Sequence, residues 1–252
     1  MAELLIETNG PIRLLTLNRP EKRNALNGTL ISALKTALRD ADEDEDLRAI
    51  VIRGAGQDFC SGADLESLRK ISESSYEENL EDALELGELF ALIRRVKVPV
   101  IAAVRGRAFA GGFGLAIACD IILSNAASSF GFPEVKIGFV PAMVATIVRR
   151  NMSEKAAFAL LTLAYEMSAT ELSNIGLVQE VLNVETFEQD VITFAMQYAK
   201  LSKSAVGMTK RLLYEIDGMT FGDAIELGAE VNAEARMSED CKNGIAKFLN
   251  KE

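Results

Sequence analysis

The 252-residue chain contains no histidine. That removes Ser-His-Asp and Cys-His catalytic arrangements and most transition-metal sites, leaving proton transfer near neutral pH to carboxylates, Lys, Tyr or Cys. Cysteine is scarce. Cys60, Cys119 and Cys241 are odd in number and far apart, without CxxC spacing, so neither a disulfide framework nor a zinc site is expected. No apolar run approaches the roughly 20 residues of a membrane span. The opening MAELLIETNG carries acids and lacks the basic start and apolar core of a signal peptide, so a cytoplasmic location is the expectation. Positive charge is in deficit: the net charge of -10 argues against nucleic acid or an anionic membrane as partner. An anionic ligand would need a local basic cluster. What is present, 49% apolar and 25% charged residues, is the usage of a globular protein with one large core.

Residues 3–9 and 12–18, separated by Asn9-Gly10, read as a hairpin. Leu30, Ile31, Leu34 and Leu38 lie at helical spacing over about 28–40, and the acidic run DADEDED that follows is expected to be a solvated loop. RAIVIR (48–53) is a strand, followed by a polar connection and a helix over about 76–96. VPVIAAV (98–104), a glycine-rich turn at 106–112, a helix around 112–118 and the strand DIILS (120–124) repeat the pattern. Such units imply right-handed crossovers and an α/β sheet. Beyond 141 the chain reads as helices at roughly 141–151, 153–163, 169–175, 184–201, 204–217 and 220–237, with VQEVL (178–182) as the one strand. A helical C-terminal third with amphipathic faces often serves contacts between subunits.

Both glycine turns fail the dinucleotide fingerprint. The third glycine of GxGxxG would fall at Phe59 in one and Ile117 in the other, and no Gly-Lys-Ser/Thr follows either. Each turn does follow an apolar strand, and the second opens a helix, where backbone N–H groups are unpaired and the dipole is positive. In AFAGGFG, Gly111 and Gly112 would let a ligand oxygen approach the main chain. Close packing alone would explain the glycines equally well.

Four segments occur in order: LTLNRPEKRNALN (15–27), FCSGADL (59–65), VRGRAFAGGFGLAIACD (104–120) and FGFPEVKIGFVP (130–141). Together they resemble the crotonase, or enoyl-CoA hydratase/isomerase, superfamily over nearly the whole chain. The resemblance implies an α/β fold, a spiral of repeated ββα units over 1–195 with a helical trimerisation region at 196–252, the two forming one functional unit. It also implies assembly as a homotrimer or as a hexamer of paired trimers. SGAD resembles the family's first oxyanion-hole segment, with the N–H of Ala63 as donor, and AGGFG the second, with that of Gly111. Two donors on one thioester oxygen would stabilise the enolate of an acyl-CoA, with CoA entering as part of the substrate and no separate cofactor. The NRPEKRNAL turn resembles the CoA-binding turn, with Arg23, Ala25 and Leu26 lining the nucleotide end, and Arg19, Lys22 and Arg23 form a basic cluster able to meet phosphates. Ser61, Gly62, Asp64, Leu65, Phe109, Gly112 and Pro133 are implied as further lining, Asp64 as a residue that holds the loop.

The family's hydratases hold a water between two glutamates. Here the first position is Gly114 and the second is Glu134, whose Phe- and Gly-rich surroundings could desolvate it into a useful acid/base. One carboxylate beside an oxyanion hole suffices to move a proton from C2 to C4, whereas hydration lacking one acid/base group forfeits about 10²–10⁴ in rate. The expectation is therefore 3,2-enoyl-CoA isomerisation. Hydration is the alternative if Glu66, Glu73, Glu77 or Glu78 replaces the missing acid, and a CoA-binding assembly protein without turnover is a third reading. Phe109, Phe113, Phe132 and Phe139 belong either to the acyl pocket or to the core.

Overall fold

The computed structural model describes residues 2–250, with Leu65 described by its backbone alone. Strands β1 (Leu4–Asn9) and β2 (Ile12–Leu17) form the antiparallel hairpin, turning at Gly10 with φ 55°. Helix α1 (Gly28–Asp42) starts where the Asn27 side chain accepts from Leu30 N–H. Strand β3 (Ala49–Gly54) follows, then α2 (Leu65–Glu73), α3 (Tyr76–Arg95), β4 (Val100–Val104), β5 (Arg107–Phe109), α4 (Gly111–Ala118), β6 (Ile121–Asn125) and β7 (Ser129–Gly131). The remainder is α5 (Ala142–Asn151), α6 (Glu154–Thr162), β8 (Glu166–Ser168), α7 (Ala169–Asn174), β9 (Glu180–Leu182), α8 (Phe187–Ala195), α9 (Lys203–Glu215), α10 (Phe221–Met237) and α11 (Glu239–Leu249).

The main sheet runs β1-β2-β3-β4-β6-β9, parallel from β2 onward. Its inner strands are near-continuous apolar runs because both faces are covered. On one face Ile50, Ile52, Val100 and Ala102 meet Leu30, Leu34, Leu89, Ile93 and Phe113 of the helices; on the other Val51, Ile101 and Leu123 meet Phe187, Val191 and Ala195 of α8. A second, smaller sheet joins β5, β7 and β8.

Several sequence expectations are corrected. The polar connection before α3 contains α2, capped by Asp64, while Ser75 and Glu78 form a capping box at the start of α3. The glycine-rich turn contains β5, and β8 is a second strand beyond 141; strands of three residues are too short to show a period. The helix expected over 184–201 stops at Ala195 and gives way to a 3-10 turn at Tyr198–Lys200. The acidic run is not merely solvated: Asp44 pairs with Arg13 at 2.8 Å, Asp42 accepts from Lys97 N–H, and Lys203 Nζ donates to the carbonyls of Asp44 and Glu45. It therefore ties β2, the connection between α3 and β4, and α9 together. Phe113 and Phe132 are fully buried and stacked at 4.8 Å, which makes them core, whereas Phe109 is half-buried and Phe139 is exposed.

Candidate active site

Backbone pairing brings three distant segments side by side. Cys60 bridges Ala108 in parallel, Phe109 pairs with Gly131 in parallel, and Leu26 bridges Ala63 in parallel. Two residues beyond Phe109 stands Gly111, three beyond Cys60 stands Ala63, and three beyond Gly131 stands Glu134. Parallel neighbours advance together, so all three reach the same end of this small sheet.

Leu26 N–H donates to Gly62 O at 2.7 Å and Asp64 N–H donates to Leu26 O at 3.2 Å. In a parallel bridge the intervening residue turns its own N–H the other way, so Ala63 N–H faces away from Leu26. Among the described residues neither Ala63 N–H nor Gly111 N–H has a protein acceptor. Gly62 sits between them at φ 92°, where a Cβ would lie 2.7 Å from Ala110 Cβ and 3.4 Å from Gly111 N. Only glycine allows the two loops to approach this closely. Ala110 is itself held at φ 50°, ψ -128°, with its N–H donating to Gly131 O at 2.9 Å. That backbone conformation is strained for a residue with a Cβ, and it sets the direction of the Gly111 N–H at the start of α4.

Glu134 opens a 3-10 turn after Pro133. Its Oε2 is buried and has no hydrogen-bond partner among the described residues, and burial pushes its carboxyl above the ordinary 4.5, only partly offset by its own backbone N–H. An uncompensated, desolvated carboxylate is poised to take a proton. Cys60, adjacent in the small sheet, is fully buried and its thiol is pushed up to about 12 by desolvation, so it is inert as a nucleophile.

The basic turn is divided. Arg19 is buried: its guanidinium reaches Asp64 Oδ2 at 2.7 Å and Glu3 at 3.2 Å and donates to Ala25 O. Arg19 is thus corrected from a phosphate ligand to a structural clasp. Asp64 spends its other oxygen on Ser67 N–H at 2.8 Å; burial acts to raise its carboxyl, but these hydrogen bonds and Arg19 outweigh it and hold the group at about 2. Both oxygens are therefore engaged in holding the loop. Arg23, at φ 51°, is exposed and makes no ion pair among the described residues, while its carbonyl accepts from Ser61 N–H. Lys22 is exposed near Asp64 and Glu66. Ala25 and Leu26 are buried, and Ser61, Pro133 and Phe109 half-buried, along the same edge. Gly112 has no room for a Cβ against Cys60. The side chain of Leu65 lies outside the described residues.

Sequence reading missed the wall facing α4. A Cβ on Gly111 would meet Leu26 Cδ1 at 3.5 Å and Leu86 Cδ2 at 3.8 Å; one on Gly114 would overlap Val144 Cγ1 and lie 3.1 Å from Phe90 Cζ. Leu86 and Phe90 share the i, i+4 spacing of a helix face, but nothing in that spacing separates a site wall from core. The acids offered as substitutes do not fill the gap: Glu66, Glu73, Glu77 and Glu78 are exposed, Glu66 faces Lys22, and Glu78 closes the α3 cap. A cavity of about 1200 Å³ lies elsewhere, at the opposite end of β4 beneath the C-terminal helices. Its Lys203, Lys210 and Arg211 are already paired with Glu45, Asp120 and Glu234, and none of the candidate site residues lines it.

Two adjacent backbone N–H groups without a protein acceptor among the described residues and a desolvated carboxylate thus stand together at one end of the small sheet. A sequence model of the enoyl-CoA hydratase/isomerase family matches residues 7–252, and the chain belongs to that family. A Thermus thermophilus relative provisionally named an enoyl-CoA hydratase is 38% identical, over 96% of each chain. The Pongo abelii mitochondrial enoyl-CoA hydratase is 31% identical over 96% of this chain and 82% of its own. A Legionella pneumophila crystal structure, provisionally described as an enoyl CoA hydratase/isomerase (crotonase), superposes with a TM-score of 0.91 at 35% identity, covering 100% of this chain and 98% of that one. The architecture is the crotonase fold.

Proposed function

We propose that this chain binds an acyl-CoA thioester, stabilises its enolate with the N–H groups of Ala63 and Gly111, and moves a proton between C2 and C4 on Glu134, converting a 3-enoyl-CoA to the 2-enoyl isomer. The Glu134 carboxylate takes the C2 proton while the electron pair moves onto the thioester oxygen. The enolate then collapses as Glu134 returns the proton to C4. Two preorganised donors suit that charge, and loss of one such donor in other enzymes costs about 10²–10³ in rate. Arg23 and Lys22 meet the CoA phosphates, and CoA is carried by the substrate. The observation that supports isomerisation is Gly114: the space a side chain there would need is filled by Val144 and Phe90, while among the described residues Glu134 Oε2 has no hydrogen-bond partner.

Hydration is the second reading, favoured by the names of the relatives. The two are separated by incubating purified protein with 3-hexenoyl-CoA and, separately, with crotonyl-CoA, following conjugated-thioester absorbance and formation of the 3-hydroxy product. Isomerisation alone is expected. Hydratase turnover that is comparable and survives Glu134→Gln would overturn the assignment, and binding without turnover of either substrate would favour the assembly protein. Assembly as a trimer or hexamer belongs to the same proposal. It is supported by the apolar residues left uncovered on α10 and α11, among them Phe221, Ile225, Met237, Ile245 and Phe248.

A further inference from the structure

Along the wall that α3 presents to Gly111 and Gly114, the helix carries a glycine that its neighbours do not require for a turn or cap. Gly87 follows Leu86, whose Cδ2 lies within contact of the position beside the Gly111 donor, and precedes Phe90, which packs over Gly114. A Cβ on Gly87 would lie 2.5 Å from Met143 Cε. The thioether methyl therefore occupies the notch that the missing side chain leaves between α3 and α5. Met143 is half-buried, next in the chain to the buried Val144 that closes Gly114.

Outward from this notch α3 has an apolar stripe. Tyr76, Leu80 and Leu84 continue the face of Gly87 at spacings of four, four and three residues and are 76%, 45% and 60% exposed. Beyond Glu134, Ile137 and Val140 are 70% and 68% exposed on the segment that leads into α5. Contiguous exposed apolar surface beside a site marks a place for an apolar ligand. Methionine, unbranched and polarizable, is suited to fill an irregular gap and to leave it.

We propose that Met143, seated in the notch of Gly87, sets the acyl-chain length this site accepts: it closes the inner pocket around short acyl groups and separates that pocket from the apolar track Leu84–Leu80–Tyr76. The inference rests on the acyl-CoA reading above and adds the substrate class, short-chain enoyl-CoA. Removing the thioether joins pocket to track, and each further methylene that gains apolar cover is worth about fourfold in affinity.

The test compares six-carbon and ten-carbon 3-enoyl-CoA by kcat/KM, and saturated acyl-CoAs of the same lengths by calorimetric binding, for wild type and Met143→Ala. Wild type should prefer the six-carbon chain. The variant should raise the ten-to-six ratio at least tenfold in both measurements. Should Met143→Ala fail to fold, Met143→Leu withdraws the terminal methyl with little change of volume and should shift the ratio the same way by a smaller factor. A ratio that stays put in a folded variant, or a wild type that already favours ten carbons, overturns the proposal. Because the saturated ligands cannot react, a shifted binding ratio without turnover supports the role of Met143 while refuting the isomerase; failure to bind any acyl-CoA refutes both.

Discussion

At Glu134 the environment that favours proton transfer works against the fold. Its carboxyl is held above the ordinary 4.5 by burial, so the folded state favours the protonated form more than the unfolded chain does. A group of this sign leaves stability intact below the unfolded value and removes it as pH rises through the folded value. Glu134→Gln, which keeps the shape without the charge, should therefore be more stable than wild type at pH 7, by about 1 kcal/mol or a few degrees in Tm. The advantage should vanish near pH 4, and thermal scans at the two pH values read it directly. The same substitution should lower isomerase kcat by about 10²–10⁴, and the acid limb of wild-type kcat/KM should fall above pH 4.5. Equal stability of the two proteins at pH 7 would contradict the account of a desolvated, unpartnered carboxylate. Glu134 was legible in the sequence from its motif; its orphaned oxygen was not, because that depends on what the neighbouring segments leave unpaired.

Helix α4 delivers Gly111 at its first residue and Gly114 one turn later, on the side facing α3 and α5. The sequence shows the glycines and the helix they open, but not what covers them. That is decided by Leu86 and Phe90, from more than twenty residues upstream, and by Val144, thirty downstream of Gly114. Gly114→Ala should lose about 1–3 kcal/mol by overpacking, and Val144→Ala should recover part of it in a double-mutant cycle by chemical denaturation. Gly114→Glu should fail to confer hydration of crotonyl-CoA, since its side chain meets an apolar wall rather than a water site. Additive losses in the cycle would show that the two residues do not share the space. Helix α2 and the strands β5, β7 and β8 escaped sequence reading for a related reason. Each is short: α2, though Leu65, Leu68 and Ile71 recur at helical spacing, has only nine residues, the three strands are too short to show a period, and β5 and β7 exist because a neighbouring segment accepts their hydrogen bonds.

In the molecule as a whole, α9, α10 and α11 bury few of their own residues: Lys210 in α9, Val231 in α10 and none in α11. Lys210 anchors α9 to the core, reaching Asp120 at 2.7 Å and the carbonyls of Ile93 and Val98. The outward apolar faces are where the proposed trimer would pack copies of the same chain. Light scattering after gel filtration should give three or six times 27.4 kDa, and Phe221→Asp with Phe248→Asp should shift the mass toward one chain; a monomeric wild type would remove the trimer from the proposal. The sequence by itself determined the buried parallel strands, the glycine loops, the order of the four motifs and the exclusion of histidine chemistry, because these depend on residue identity and on periodicity within a few turns. Only the tertiary structure decided that Arg19 is buried against Asp64 instead of facing a phosphate, that Gly114 is walled by Val144 and Phe90, and that Ala63, Gly111 and Glu134 reach one end of a small sheet. Those outcomes follow from pairing and packing between segments tens of residues apart, where the geometry of the whole core, and no local pattern, selects the neighbour.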